Sequence, residues 1–145
     1  MIGRVEEVNS RPVPVPSADT QPFWDGCARE QLLLQRCNTC RTVWHPPSPL
    51  CPSCFSTDFE WMPASGKGTV YTYSVVHHPF RRVWEPLVPY VLAVIELAEG
   101  PHMLSNLVET APEAVHIGMG VAVTFQPVSE TISLPLFRPA AEMLP

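Results

Sequence analysis

A mainly β chain is predicted, with a short N-terminal helix, a small zinc ribbon and then a five-stranded OB-fold barrel. Three observations predict it. Two CxxC pairs, Cys37/Cys40 and Cys51/Cys54, stand ten residues apart. From Asp58 onward apolar and polar residues alternate between Gly- and Pro-marked turns, the pattern of a β module. Eighteen prolines in 145 residues favour short strands and stiff loops over long helices.

Residues 1–19 include RPVPVPS, whose alternating prolines predict an extended, polyproline-like arm. A helix follows. Asp19 or Thr20 can cap it, Pro22 suits its first turn, and Phe23 and Cys27 lie four apart on one face, so it should run to about Glu30. Leu32 to Arg36 then reads as a strand leading into the first cysteine pair, and helix and ribbon together take residues 20–57. The barrel is assigned to 58–138, with a tail over 139–145. Its five strands are Thr69–His77, Tyr90–Leu97, His102–Val108, a fourth around Val121, Val123 and Phe125, and Ile132–Phe137. Gly66-Lys67-Gly68 opens the first, Glu99-Gly100-Pro101 turns the second into the third, and Ala111–Val115 gives one helical turn. Five strands with a small helix between the third and fourth are the pattern of an OB-fold.

Each CxxC makes a tight knuckle that aims two sulfurs at one point, and two knuckles close a tetrahedron. Cys37, Cys40, Cys51 and Cys54 are therefore the predicted metal ligands, and zinc, borderline-soft and without geometric demands of its own, the predicted cofactor. Four protein ligands leave no open position, which makes the metal structural. A segment this short, with Pro46, Pro47 and Pro49 in its loop, buries little apolar surface. Zinc, worth roughly 10–16 kcal/mol in small zinc domains, has to supply the folding energy. A redox CxxC needs a thiol at a helix N-terminus, whereas a proline-rich loop follows here; a rubredoxin-type iron site uses the same ligands. Cys27, apart on the helix, reads as a buried thiol, and His45 as a loop histidine outside the ligand set.

Composition narrows the function. A hydrophobic fraction of 46% supports a core, and the net charge is −5. Nucleic-acid binders usually carry a basic face, and here only Arg81 and Arg82 are adjacent among nine scattered basic residues, which argues against that class. Cysteines in CxxC pairs fit metal thiolates in a reducing compartment. The N-terminus, MIGRVEEVNS, shows no apolar h-region, and the apolar run Val91–Ile95 is far too short to span a bilayer. A cytoplasmic protein with no membrane partner is expected.

The segment His77 to Glu85 is the richest in functional groups. His77 and His78 point to opposite faces of a regular strand and make poor joint ligands. Arg81 and Arg82 can meet a phosphorylated ligand, and Trp84 a partner's pocket. Tyr71 and Tyr73 alternate onto one face, an arrangement that single-strand-binding OB-folds use for base stacking and that is equally at home in a core or at a protein interface. There is no GxSxG, HExxH or GxxxxGK[ST] motif, and no catalytic residue is assigned.

These features, taken in order, resemble a known family. FWD at 23–25, LLLQRCNTC at 32–40 and WHPPSPLCPSC at 44–54 resemble its rubredoxin-like zinc ribbon. FEW at 59–61, GKGTVYTYSVVHHP at 66–79, PYVLAVIELAEGP at 89–101, HIGMGVAVTF at 116–125 and LPLFRPA at 134–140 resemble its OB-fold half. The family is the zinc-ribbon/OB-fold group long labelled a domain of unknown function, whose members accompany thiolase-superfamily proteins. The likeness covers roughly residues 20–140 and is carried by the order of the motifs. Family knuckles often place Gly after each CxxC, where positive φ is easy; here Arg41 and Phe55 stand there. The turn before the first ribbon strand, often glycine-bearing, is Arg29-Glu30-Gln31.

The resemblance implies a non-catalytic accessory subunit. Its partner would be a thiolase-like or lipid-transfer-protein-like enzyme subunit, a thiolase, acyltransferase or retro-aldolase, with acyl-CoA as a candidate ligand and steroid side chains among the substrates. The competing readings are a single-stranded nucleic-acid-binding module and a self-contained enzyme using the histidines or Glu96.

Overall fold

The computed structural model describes residues 11–141. The first ten residues of the predicted arm, and residues 142–145 of the predicted tail, lie outside the described residues. Residues 11–17 belong to no helix or strand.

Helix α1 (Gln21–Ala28) starts behind Thr20 with Pro22 in its first turn, and buries Phe23, Gly26 and Cys27. A β-hairpin and one added strand follow: β1 (Leu33–Cys37), β2 (Val43–Trp44) and β3 (Phe59–Pro63) form a sheet in the order β2-β1-β3. The predicted boundary at 57/58 placed Phe59–Trp61 with the barrel. Backbone pairing instead sets β3 antiparallel to β1, from Cys37 opposite Phe59 to Leu33 opposite Pro63. Strand identity here is decided by a partner more than twenty residues away.

The barrel consists of β4 (Lys67–Val76), β5 (Tyr90–Leu97), β6 (His102–Leu107), β7 (Gly120–Pro127) and β8 (Ser133–Pro139). It closes in the order β4-β5-β6-β8-β7, with β7 paired back to β4. A 3₁₀ turn at Pro112–Ala114 bridges β6 and β7, as expected of an OB-fold. The strands follow the alternation rule: β5 buries Val91, Ala93, Ile95 and Leu97 and turns Leu92 and Glu96 outward. One seam is thin. The parallel β6–β8 pairing rests on Leu107 opposite Phe137, and nearby the Ser105 hydroxyl donates to the Pro135 carbonyl at 2.8 Å.

One core runs through both halves. Phe23, Cys27, Leu32 and Leu34 join Val70, Ile95, Met103 and Phe137 in a single buried cluster, while Cys37, Trp44 and Cys51 form a second, smaller one at the ribbon tip. The helix and first ribbon strand are thus anchored by the barrel, and the ribbon tip is not. Among the described residues no helix is long and apolar enough to cross a membrane.

Candidate metal centre and barrel grooves

The two knuckles are built alike. The N–H of Arg41 donates to Cys37 O at 3.0 Å, and that of Phe55 to Cys51 O at 2.9 Å; Cys37 and Cys51 in turn donate to Thr42 O and Ser56 O at 2.8 and 3.0 Å. Each closure demands a left-handed residue after the second cysteine. Arg41 (φ 69°) and Phe55 (φ 62°) adopt it, as does Glu30 (φ 60°) in the turn before β1. Amide hydrogens also point at sulfur. Thr39 N and Cys40 N lie 3.3 and 3.4 Å from Cys37 Sγ, and Ser53 N lies 3.4 Å from Cys51 Sγ, which favours thiolate over thiol.

All four sulfurs lie within 4.8 Å of one another. Cys37 and Cys54 sulfurs lie 3.6 Å apart, and those of Cys40 and Cys51 3.5 Å. A tetrahedral zinc with bonds of about 2.3 Å sets sulfurs about 3.8 Å apart, so the donor set fits zinc in number, softness and spacing. The charge balance asks for a cation too. Cys37 is pulled down to about 6, foremost by the Cys40 N–H on its sulfur. Cys54 is pushed up to about 12: the Ser56 N–H favours its thiolate, but burial and the neighbouring sulfurs outweigh it. The crowded sulfurs thus pull one thiol down and push another up; a divalent cation among them removes that conflict. The knuckles follow strands and turns rather than opening a helix, so the redox arrangement is not formed. A bound zinc here would crosslink β1, the β2 hairpin and the 51–57 turn, with no free coordination place.

The ribbon is fastened around this centre. Trp44 meets Phe59 edge-on at 5.5 Å, Asn38 donates to Asp58 at 2.9 Å, and Arg36 pairs with Glu60. His45 leans on Phe23 at 5.3 Å; burial pulls its pKa down to about 4, so it stays neutral, and it is not part of the clustered donor set.

The predicted loop residues disperse. His77 and His78 sit exposed beyond the end of β4, and Arg81 and Arg82 are exposed at the start of a 3₁₀ helix, η1 (Arg82–Leu87), that the sequence reading treated as plain loop. Arg82 reaches Glu85 only at 4.0 Å. Phe80 is 99% exposed. Trp84 is half-buried, 6.4 Å from Tyr90, beside the buried Val83. Among the described residues, the four cysteines are the only cluster of His, Cys, Asp or Glu close enough to hold a metal.

Trp84 walls a groove of about 610 Å³ that runs over Leu87, Tyr90, Leu92, Asn106 and Leu134. A smaller cleft of about 360 Å³ lies between α1, the proline loop and the barrel, against Phe23, Trp24, His45 and Leu104. The two share Asn106, Leu134 and Leu136. Sequence reasoning missed both; the one available signal was Leu92 and Leu104 facing outward on strands whose other face is buried, with Leu104 66% exposed.

Tyr71 and Tyr73 do not share a face. The β4–β5 register slips between Val70 and Thr72, leaving Tyr71 as an extra residue. Tyr73 therefore turns to the core and donates its hydroxyl to Val115 O at 3.1 Å, whereas Tyr71 packs outside on His102 at 4.4 Å. The pair therefore offers no shared stacking face, and Tyr73 takes the core role instead.

Comparison with known proteins gives two adjoining family matches. Residues 24–60 match the "ChsH2, rubredoxin-like zinc ribbon domain" and residues 61–126 the "ChsH2, C-terminal OB-fold domain". The "Probable enoyl-CoA hydratase alpha subunit" of Thermomonospora curvata is 41% identical over 130 residues, 90% of this chain. The match covers 40% of that relative's length. A "DUF35 domain-containing scaffold protein" of Methanocaldococcus jannaschii is 46% identical over 100 residues, covering 68% of this chain and 70% of its own. Among solved structures, the "Ltp2-ChsH2(DUF35) aldolase" superposes with a TM-score of 0.79 at 40% identity, covering 88% of this chain and 99% of that one.

Proposed function

The chain belongs to the ChsH2 family of zinc-ribbon and OB-fold proteins, and on that premise we propose that it is a non-catalytic accessory subunit of an acyl-CoA enzyme complex. The observation that carries this reading is the near-complete correspondence with the matched chain of the Ltp2-ChsH2(DUF35) aldolase. The names of the two relatives, an alpha subunit and a scaffold protein, support the same class of role. The tetrathiolate centre is consistent with it, since zinc held by four cysteines stiffens a surface and offers nothing to a substrate.

On this reading the partner is a thiolase-like or lipid-transfer-protein-like enzyme subunit in the cytoplasm, and the reacting centre belongs to that partner. The helix and ribbon dock it. The 77–85 loop flanks the acyl-CoA entrance, where the exposed Arg81 and Arg82 are free to meet phosphate.

The test is native pull-down of the tagged chain from its source organism with mass-spectrometric identification, followed by co-expression with the enzyme recovered. An acyl-CoA enzyme should co-purify, and its solubility or turnover should rise with the chain present. Equal solubility and turnover without the chain, or conversion of acyl-CoA substrates by the chain alone, overturns the reading.

A further inference from the structure

The two knuckles follow one pattern, in which Cys37 corresponds to Cys51, Cys40 to Cys54 and Thr42 to Ser56. Most of the hydrogen bonding repeats. The first cysteine of each pair, Cys37 or Cys51, is fully buried and takes the amide two residues on, from Thr39 at 3.3 Å or Ser53 at 3.4 Å. The second, Cys40 or Cys54, is exposed and takes the N–H of Thr42 or Ser56. The hydroxyls break the match. Thr42 Oγ1 lies 3.1 Å from Cys40 Sγ, and beside a metal-bound thiolate, which can only accept, it is the donor. Ser56 Oγ instead pairs with Thr39 Oγ1 at 3.1 Å and accepts the Asp58 N–H at 3.1 Å. Cys54 is thus open to solvent and lacks the hydroxyl that its counterpart has.

We propose that Cys54 is a modification site: in the zinc-loaded chain by itself, it is the sulfur that electrophiles, hydrogen peroxide among them, attack first. Each hydrogen bond onto a metal-bound thiolate draws charge from the sulfur and lowers its nucleophilicity. Burial closes Cys37 and Cys51 to reagents, and the Thr42 hydroxyl slows Cys40, which leaves Cys54. One hydrogen bond to a charged sulfur corresponds to roughly a three- to tenfold difference in rate. No proton has to be removed, because a metal-bound thiol is already deprotonated. The thiolate's electron pair forms a bond to the electrophilic atom, and the leaving group departs with the pair of the bond that breaks. Iodoacetamide gives a carboxamidomethyl thioether and iodide. Hydrogen peroxide gives a sulfenic acid and hydroxide, the sulfur giving up two electrons to the O–O bond that breaks. Either product has lost the thiolate charge and with it most of its hold on the metal. One event at Cys54 therefore undoes the crosslink to the 51–57 turn and frees the ribbon tip, whose own core is small.

The zinc-loaded full chain, treated with a limiting amount of iodoacetamide and mapped by peptide mass spectrometry, tests this. The label should fall on Cys54 about three- to tenfold more often than on Cys40, with Cys37 and Cys51 unlabelled at first. Hydrogen peroxide followed by dimedone should place its adduct on the same sulfur. Both reagents are neutral, so the charge of Arg41 beside Cys40 does not bias the comparison. Zinc release, followed with a chromogenic chelator, should rise in step with Cys54 labelling. Thr42→Val, which keeps the shape and drops the hydroxyl, should bring Cys40 up to the Cys54 rate, whereas Thr42→Ser should keep it slow. Zinc content before treatment reports an intact centre in each variant; where Thr42→Val binds no zinc, the ratio in the parent chain decides. Labelling of Cys40 as fast as Cys54 in the parent chain overturns the proposal, and so does labelling of all four ligands together. A Cys40 rate that a zinc-loaded Thr42→Val chain leaves unchanged overturns it as well.

Discussion

Gln35 and Ser48 hold each other through two hydrogen bonds: the Gln35 amide donates to Ser48 O at 2.8 Å, and Ser48 N–H donates to Gln35 Oε1 at 2.9 Å. Gln35 sits in the middle of β1 and is 1% exposed, so its amide would be costly unpaired. The contact ties the proline-rich loop to the ribbon sheet. Gln35→Leu should remove both bonds and strand the Ser48 backbone groups, costing about 1–3 kcal/mol. Gln35→Glu should cost more, because a buried carboxylate cannot donate to Ser48 O. Thermal unfolding of the zinc-loaded chain measures both.

Zinc removal should act on part of the molecule. The ribbon tip has its own small core of Cys37, Trp44 and Cys51, whereas α1 and Leu32–Leu34 pack into the barrel's cluster. A strong chelator, or Cys40→Ala, should abolish zinc content and release the tip, seen as loss of amide protection over 38–58. Protection in β5 and β6 should persist. Full zinc occupancy in Cys40→Ala would refute the assignment.

How far the sequence reveals this architecture depends on the range of the interaction involved. Tyr90–Leu97 is readable to the residue, because one buried face imposes strict alternation. The cysteine ligands are readable because their spacing is itself the chemistry, and the need for positive φ at Arg41 and Phe55 follows from the knuckle. What is not readable is set by distant pairing. Val70-Tyr71-Thr72-Tyr73 looks like clean alternation, and only the register against Ile95 and Val94 exposes the bulge. Phe59–Pro63 has the texture of the barrel strands yet pairs with β1. The grooves are assembled from α1, the proline loop, η1, β5, β6 and β8, and no local motif announces them.

Phe55 offers a stabilising change. It holds φ at 62°, a conformation that penalises a side chain, while 72% of the residue is exposed, so little packing is at stake. Phe55→Gly should raise stability by up to about 1 kcal/mol, the relief being partly offset by glycine's freedom in the unfolded chain. Phe55→Val, β-branched at positive φ, should lower it. Denaturant midpoints for the two variants should fall on opposite sides of the parent.

Gly26 poses the opposite choice. Helix propensity alone favours Ala over Gly by about 1 kcal/mol. A Cβ at position 26, however, would stand 2.9 Å from Gln31 O and 2.8 Å from Leu33 Cγ. Gln31 N also donates to Gly26 O at 2.8 Å, so the carbonyl belongs to a fixed backbone turn and cannot swing away. Crowding wins. Gly26→Ala should destabilise the chain despite its better helix propensity, and a higher unfolding midpoint would show that α1 can slide off β1 at little cost.

His45 gives the chain a pH dependence with a definite sign. Burial depresses its pKa from 6.5 to about 4, so between those values the unfolded chain takes up a proton that the folded chain refuses. Unfolding then binds protons, and stability falls as pH drops from about 6.5 toward 4, by up to roughly 3 kcal/mol, and levels off below. Above 6.5 the residue is neutral in both states and contributes no slope. Other groups, the thiolates among them, also respond to acid, so the informative quantity is a difference. His45→Phe, which keeps a ring against Phe23 and removes the titrating nitrogens, should show a flatter stability profile than the parent between pH 4 and 6.5. The two profiles should run parallel above 7. Equal slopes below 6.5 would mean that His45 is solvated enough to protonate in place.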